Sequence, residues 1–103
     1  MTYLNNIEEI KSAIDNYNIL NKTQKNVLKE LIKASVDGKS IISIKEICGS
    51  IKTTTSPVSK AIHVLEDMEI IEGIMRRGII FTGCQVKESK IKEIIERHKA
   101  KTK

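Results

Sequence analysis

The chain has 103 residues, 18 of them basic and 13 acidic, for a net charge of +5 with 40% hydrophobic residues. That balance suits one globular domain and excludes a disordered or collagen-like chain. Cys48 and Cys84 do not form a disulfide framework, no run approaches the roughly 18 apolar residues of a membrane span, and the first six residues lack the pattern of a signal peptide, so a cytoplasmic protein is expected.

Leu4, Ile7, Ile10, Ile14 and Tyr17 recur at spacings of three and four, predicting an amphipathic helix within residues 1–20. An Asn-rich stretch ends it, and Thr23 is the expected N-cap of a second helix running to about Val36. That helix places Val27, Leu28, Leu31, Ile32 and Val36 inward, with Lys22, Lys25, Lys29 and Lys33 on the opposite face. Asp37-Gly38-Lys39 is read as its stop, Gly38 accepting a left-handed backbone. Ile41-Ile42-Ser43 is short and suits a brief strand.

Ser43-Ile44-Lys45-Glu46 has the Ser-x-x-Glu form of a capping box, opening a short helix with Ile44, Ile47, Cys48 and Ile51 as its apolar positions. Lys52-Thr53-Thr54 breaks the pattern. A further helix opens at Thr54 or Thr55, carries Pro57 in its first turn, and buries Val58, Ala61, Ile62, Leu65 and Met68. Two β-branched runs, residues 70–74 and 79–82, flank Met75-Arg76-Arg77-Gly78 and predict a hairpin with Gly78 at the turn. Residues 86–100 return to helical spacing through Ile91, Ile94, Ile95 and His98. The expected class is α+β, mainly α with a small β-hairpin.

Glu46-Ile47-Cys48, then Gly49-Ser50-Ile51, the turn Lys52-Thr53, Thr54-Thr55-Ser56-Pro57, and Val58-Ser59-Lys60-Ala61-Ile62-His63-Val64-Leu65-Glu66 form a run without gaps. This run resembles the helix-turn-helix of winged-helix regulators, and its surroundings are similar to the MarR-like group. The Gly-Leu-Ile found after this helix in that group is here Glu69-Ile70-Ile71, and the turn position usually held by Gly is Lys52. The resemblance covers residues 22–83, framed by the extra helices at 1–20 and 86–100 of a single 1–103 domain.

The resemblance implies a sequence-specific DNA-binding protein, a repressor by default, associated with the nucleoid. Its recognition helix enters the major groove of double-stranded DNA. The residues expected on DNA are Thr53, Thr54, Thr55, Ser56, Ser59, Lys60 and His63, with Arg76 and Arg77 of the hairpin in the minor groove and Lys25 on the backbone. The same hydroxyls also serve as mere helix caps in many proteins, and a lysine face is often only solvated.

Two apolar stripes, Leu4, Ile7, Ile10, Ile14 and Tyr17 in one and Ile91, Ile94 and Ile95 in the other, lie outside the compact unit and must be buried somewhere. In the MarR-like group the two chain ends pair into a homodimer, which is the expected outcome here; the alternative is that both helices fold back on their own domain.

His63 and His98 sit in no nucleophile, metal or phosphate motif, so an enzyme, a metal site and a cofactor are not expected. A thiol switch at Cys84 requires an exposed thiol of lowered pKa. The sequence specifies no small-molecule effector. The competing functions are a plasmid or phage replication or partition protein, and a winged helix used for protein contacts alone.

Overall fold

A computed structural model describes residues 7–78 and 80–101. In chain order the elements are α1 (Ile7–Asp15), α2 (Lys22–Lys33), β1 (Ser35–Val36), β2 (Lys39–Ser40), α3 (Ile44–Ile51), α4 (Thr55–Asp67), β3 (Ile71–Arg77), β4 (Ile80–Val86) and α5 (Glu88–Lys101). The result is an α+β fold of five helices and a small four-stranded antiparallel sheet in the order β1-β2-β4-β3.

Helix α2 begins two residues earlier than the sequence suggested. Asn21, not Thr23, is the N-cap: its Oδ1 accepts from the Gln24 amide at 2.8 Å, and Gln24 Oε1 accepts from the Asn21 amide at 2.9 Å. A reciprocal box needs the capping side chain three residues before the Gln, and Thr23 is too close. The helix then stops at Lys33, short of Val36, which is 73% exposed.

Beyond α2 the chain forms a tight hairpin. Asp37 and Gly38 both adopt positive φ, 53° and 83°, the requirement for a two-residue turn whose twist matches its strands. They join β1 to β2, with Val36 opposite Lys39 and Ser35 opposite Ser40. The brief strand therefore falls at Lys39–Ser40, and Ile41-Ile42-Ser43 is the connection into α3.

Strand β2 docks on β4, Lys39 opposite Gln85 and Ser40 opposite Cys84. This seam leaves no room for a side chain at Gly83, because a Cβ there would collide with the Ser40 carbonyl oxygen. Strands β3 and β4 run longer than the β-branched runs implied and bring Val86 into the sheet, so α5 starts at Glu88. Gly78 has φ +66° at the turn, as the hairpin reading requires. Residue 79 lies outside the described residues.

One hydrophobic core, from Ile10 to Ile95, joins all five helices to the sheet. Val27, Leu28 and Leu31 of α2, Ile47 of α3, Val58, Ile62 and Leu65 of α4, and Phe81 of β4 are all at most 3% exposed. The stripes expected at a dimer interface fold back on this core. Ile10, Ile14, Ile91, Ile94 and Ile95 are buried within one chain as α1 packs on α5, and Tyr17 is half-buried with the Arg97 guanidinium 5.7 Å over its ring. The side chains of Leu4 and Ile7 lie outside the described residues. Among the described residues, no helix is long and apolar enough to cross a membrane.

Candidate nucleic-acid interface

The α3–α4 corner is built from local chemistry. Ser43 caps α3 with the anticipated box: its Oγ accepts from the Glu46 amide at 3.1 Å, and Glu46 Oε1 accepts from the Ser43 amide at 3.0 Å. Lys52 ends the helix in the left-handed region, φ 55° and ψ 57°, where Gly is usual. The amides of Lys52 and Thr53 both donate to the Cys48 carbonyl, closing the helix end. Thr54 then turns the chain into α4 with an extended backbone and makes no side-chain capping bond.

That last detail matters chemically. The first amides of a helix have no intrahelical acceptor, and they carry the positive end of its dipole. In α4 the N-cap side chain leaves them unoccupied. Glu69, just past the other end, also takes a left-handed backbone at φ 61°. Its amide and that of Ile70 donate to Glu66 and Leu65 at 2.9 Å, which turns the chain sharply into β3.

Burial of Val58, Ala61, Ile62 and Leu65 fixes the rotation of α4. Thr55, Ser56, Lys60 and His63 are exposed on its other side, Ser59 is half-buried, Thr54 is exposed and Thr53 half-buried. Thr55, Ser56, Ser59 and Lys60 face an open groove of about 680 Å³, which they line together with Ser43, Ile44 and Lys45 from the start of α3 and Ile80 and Phe81 from β4. No lining residue is acidic. His63, a turn further along α4, does not line it.

Arg76 and Arg77 are exposed and form the last two positions of β3, opposite Phe81 and Ile80. They therefore stand beside the groove, since their cross-strand partners line it. Lys25 has a different task. Its Nζ donates to the Asp15 carbonyl at 2.8 Å, and Lys29 pairs with the Asp15 carboxylate at 2.7 Å. These lysines tie α2 to the end of α1, and Lys25 does not line the groove.

Ser43, Ile44, Lys45, Ile80 and Phe81 were not among the expected site residues. The capping box at Ser43 was legible, yet nothing in a linear pattern says that the start of α3 and the start of β4 meet beside α4. Cys84 is enclosed between strands, and loss of solvent, with the Glu66 carboxylate second, pushes its thiol up to about 11. A thiol held in its protonated form does not meet the requirement of a redox switch. Among the described residues, no group of three or more His, Cys, Asp or Glu side chains comes together to hold a metal.

No known protein-family model matches the chain, and no curated protein matches it significantly.

Proposed function

We propose that the chain is a winged helix-turn-helix protein that binds double-stranded DNA, with α4 as the recognition helix in the major groove and Arg76 and Arg77 of the β3–β4 wing at the adjacent minor groove. The observation that carries this reading is the groove between α4 and the hairpin, furnished with Ser and Thr hydroxyls and two lysines, and free of acid. Hydroxyls and cations are the groups that meet phosphates and base edges. A helix is also the element whose width fits the major groove.

The strand order supports the same reading. Helix α2, strand β2, helices α3 and α4, and the hairpin β3–β4 succeed one another along the chain, and the short strand docks on the second strand of the hairpin. Regulation of transcription, with repression as the default, is the role proposed for such binding. Dimerisation through the terminal helices is a separate proposal, tested by how the thermal midpoint of unfolding depends on protein concentration.

The test is a titration of a labelled random-sequence duplex at several salt concentrations. Each phosphate that the protein no longer neutralises makes the slope of log K against log salt shallower by about 0.9. Binding that weakens steeply with salt is expected, and an Arg76→Ala, Arg77→Ala variant should show a slope shallower by roughly 1–2. A folded protein that ignores DNA at low salt overturns the reading and leaves a winged helix used for protein contacts.

A further inference from the structure

Among the described residues, two buried side-chain polar atoms lack a hydrogen-bond partner, Ser40 Oγ and His98 Nδ1. Ser40 has no exposed surface and sits in the seam where β2 pairs with β4. His98 is placed differently. It is half-buried on α5 and lines an open cavity of about 190 Å³ between that helix and the end of α1. A buried ring nitrogen without a partner is costly. Nδ1 is shielded from bulk water, so a group seated in the cavity is what can satisfy it.

The charge of the cavity points to an anion. Arg97 lines it, exposed, with its guanidinium 5.7 Å over the Tyr17 ring. Stacking occupies one face of the guanidinium and leaves its planar edge of N–H groups free to donate. No described residue lining the cavity is acidic. On the same two helices, Asp15 pairs with Lys29 at 2.7 Å, Glu93 with Lys90 at 3.7 Å and Glu9 with Lys99 at 3.9 Å. The apolar wall is aliphatic, from Ala13, Ile19 and Ile94, because Arg97 already covers the one aromatic ring.

We propose that this cavity is a binding site for a short-chain aliphatic carboxylate. The Arg97 guanidinium and the His98 Nδ1–H donate to the carboxylate oxygens, and the alkyl body packs on Ala13, Ile19 and Ile94. One guanidinium and one ring N–H match a single carboxylate in charge and in donors. An apolar cavity of about 150 Å³ holds a benzene ring, so this one has room for a body of about six carbons. The bound carboxylate ties α5 to the end of α1, and the site stands whether or not the groove beside α4 binds DNA.

The experiment titrates the full chain with hexanoate near neutral pH, at constant ionic strength, and follows the histidine ring signals by NMR. The chain has two histidines, and His63 on α4 is exposed and does not line this cavity, so it serves as an internal control. The His98 signals should move to saturation while those of His63 stay fixed. The alcohol 1-hexanol, the same body without the charge, should bind at least about tenfold more weakly, as expected when a charged hydrogen bond is lost. An Arg97→Gln variant should weaken hexanoate by about the same factor; because Arg97 is exposed, circular dichroism should show it folded.

Equal affinity of the wild-type chain for hexanoate and 1-hexanol overturns the carboxylate assignment, and that comparison needs no variant. Unchanged hexanoate affinity in folded Arg97→Gln overturns Arg97 as the anchor. Signals of both histidines drifting together without saturation, or neither moving, overturn the site itself.

Discussion

Lys52 is where a local rule was broken and the break could be foreseen. Three residues, Lys52 to Thr54, separate α3 from α4, and the first of them takes a left-handed backbone that costs an L-residue roughly 1–2 kcal/mol. Replacing Lys52 with Gly removes that strain and gives some of the gain back through a more flexible unfolded chain. The expected net result is stabilisation by about 0.5–1 kcal/mol, read as a higher midpoint in urea with an unchanged slope. A lower midpoint would show that the Lys52 side chain contributes more than its backbone costs.

Cys84 shows the opposite case, a residue whose role depended on burial that no spacing reveals. Its thiol rises from an ordinary value of 9.0 to about 11, first through desolvation and then through the Glu66 carboxylate. Because the folded protein holds this proton more tightly than the unfolded chain, its contribution is complete below pH 9 and is lost as pH climbs towards 11. A Cys84→Ala variant should therefore lose less stability than wild type between those two pH values, measured by urea unfolding at each. A native thiol that reacts with a disulfide reagent at about pH 8 as fast as an unfolded one contradicts the enclosure.

At the scale of elements, the legible features came from periodicity and capping, and the missed ones from competition between readings. The stripe of Val58, Ala61, Ile62 and Leu65 set both the existence of α4 and its outward face, because the helical period leaves little choice. Asp37-Gly38 was ambiguous by nature. A positive φ ends a helix as readily as it closes a two-residue hairpin, and the flanking strands are only two residues long. Alternation cannot be detected over so short a span. The groove was half legible: α4 supplied its hydroxyl wall, whereas Ile80 faces that wall only because β4 pairs with β2 on one side and β3 on the other. Charge placement along α4 adds to the asymmetry. Lys60 lies in its first half, Glu66 and Asp67 lie in its last turn, and acids at a C-terminus oppose the helix dipole. That arrangement is unfavourable for an isolated helix, but it keeps negative charge away from the end that lines the groove.

For the whole molecule, the decisive fact is where the terminal helices go. The radius of gyration of 12.9 Å matches the roughly 13 Å expected of a compact chain this long, and α1 packs on α5 within it. Ile91 is fully buried in that packing, so Ile91→Ala should cost about 3 kcal/mol as a large-to-small core change. The informative variable is protein concentration. If the terminal stripes complete a single chain's core, the thermal midpoints of wild type and variant stay constant over roughly a hundredfold range of concentration. Pairing of chains through these helices makes folding and association one equilibrium, and the midpoint then rises with concentration. A rising wild-type midpoint, weakened or abolished by Ile91→Ala, would place these stripes at an interface between chains. A constant midpoint leaves each chain with one complete groove, and occupancy of two half-sites then depends on the spacing of the DNA rather than on a preformed dimer.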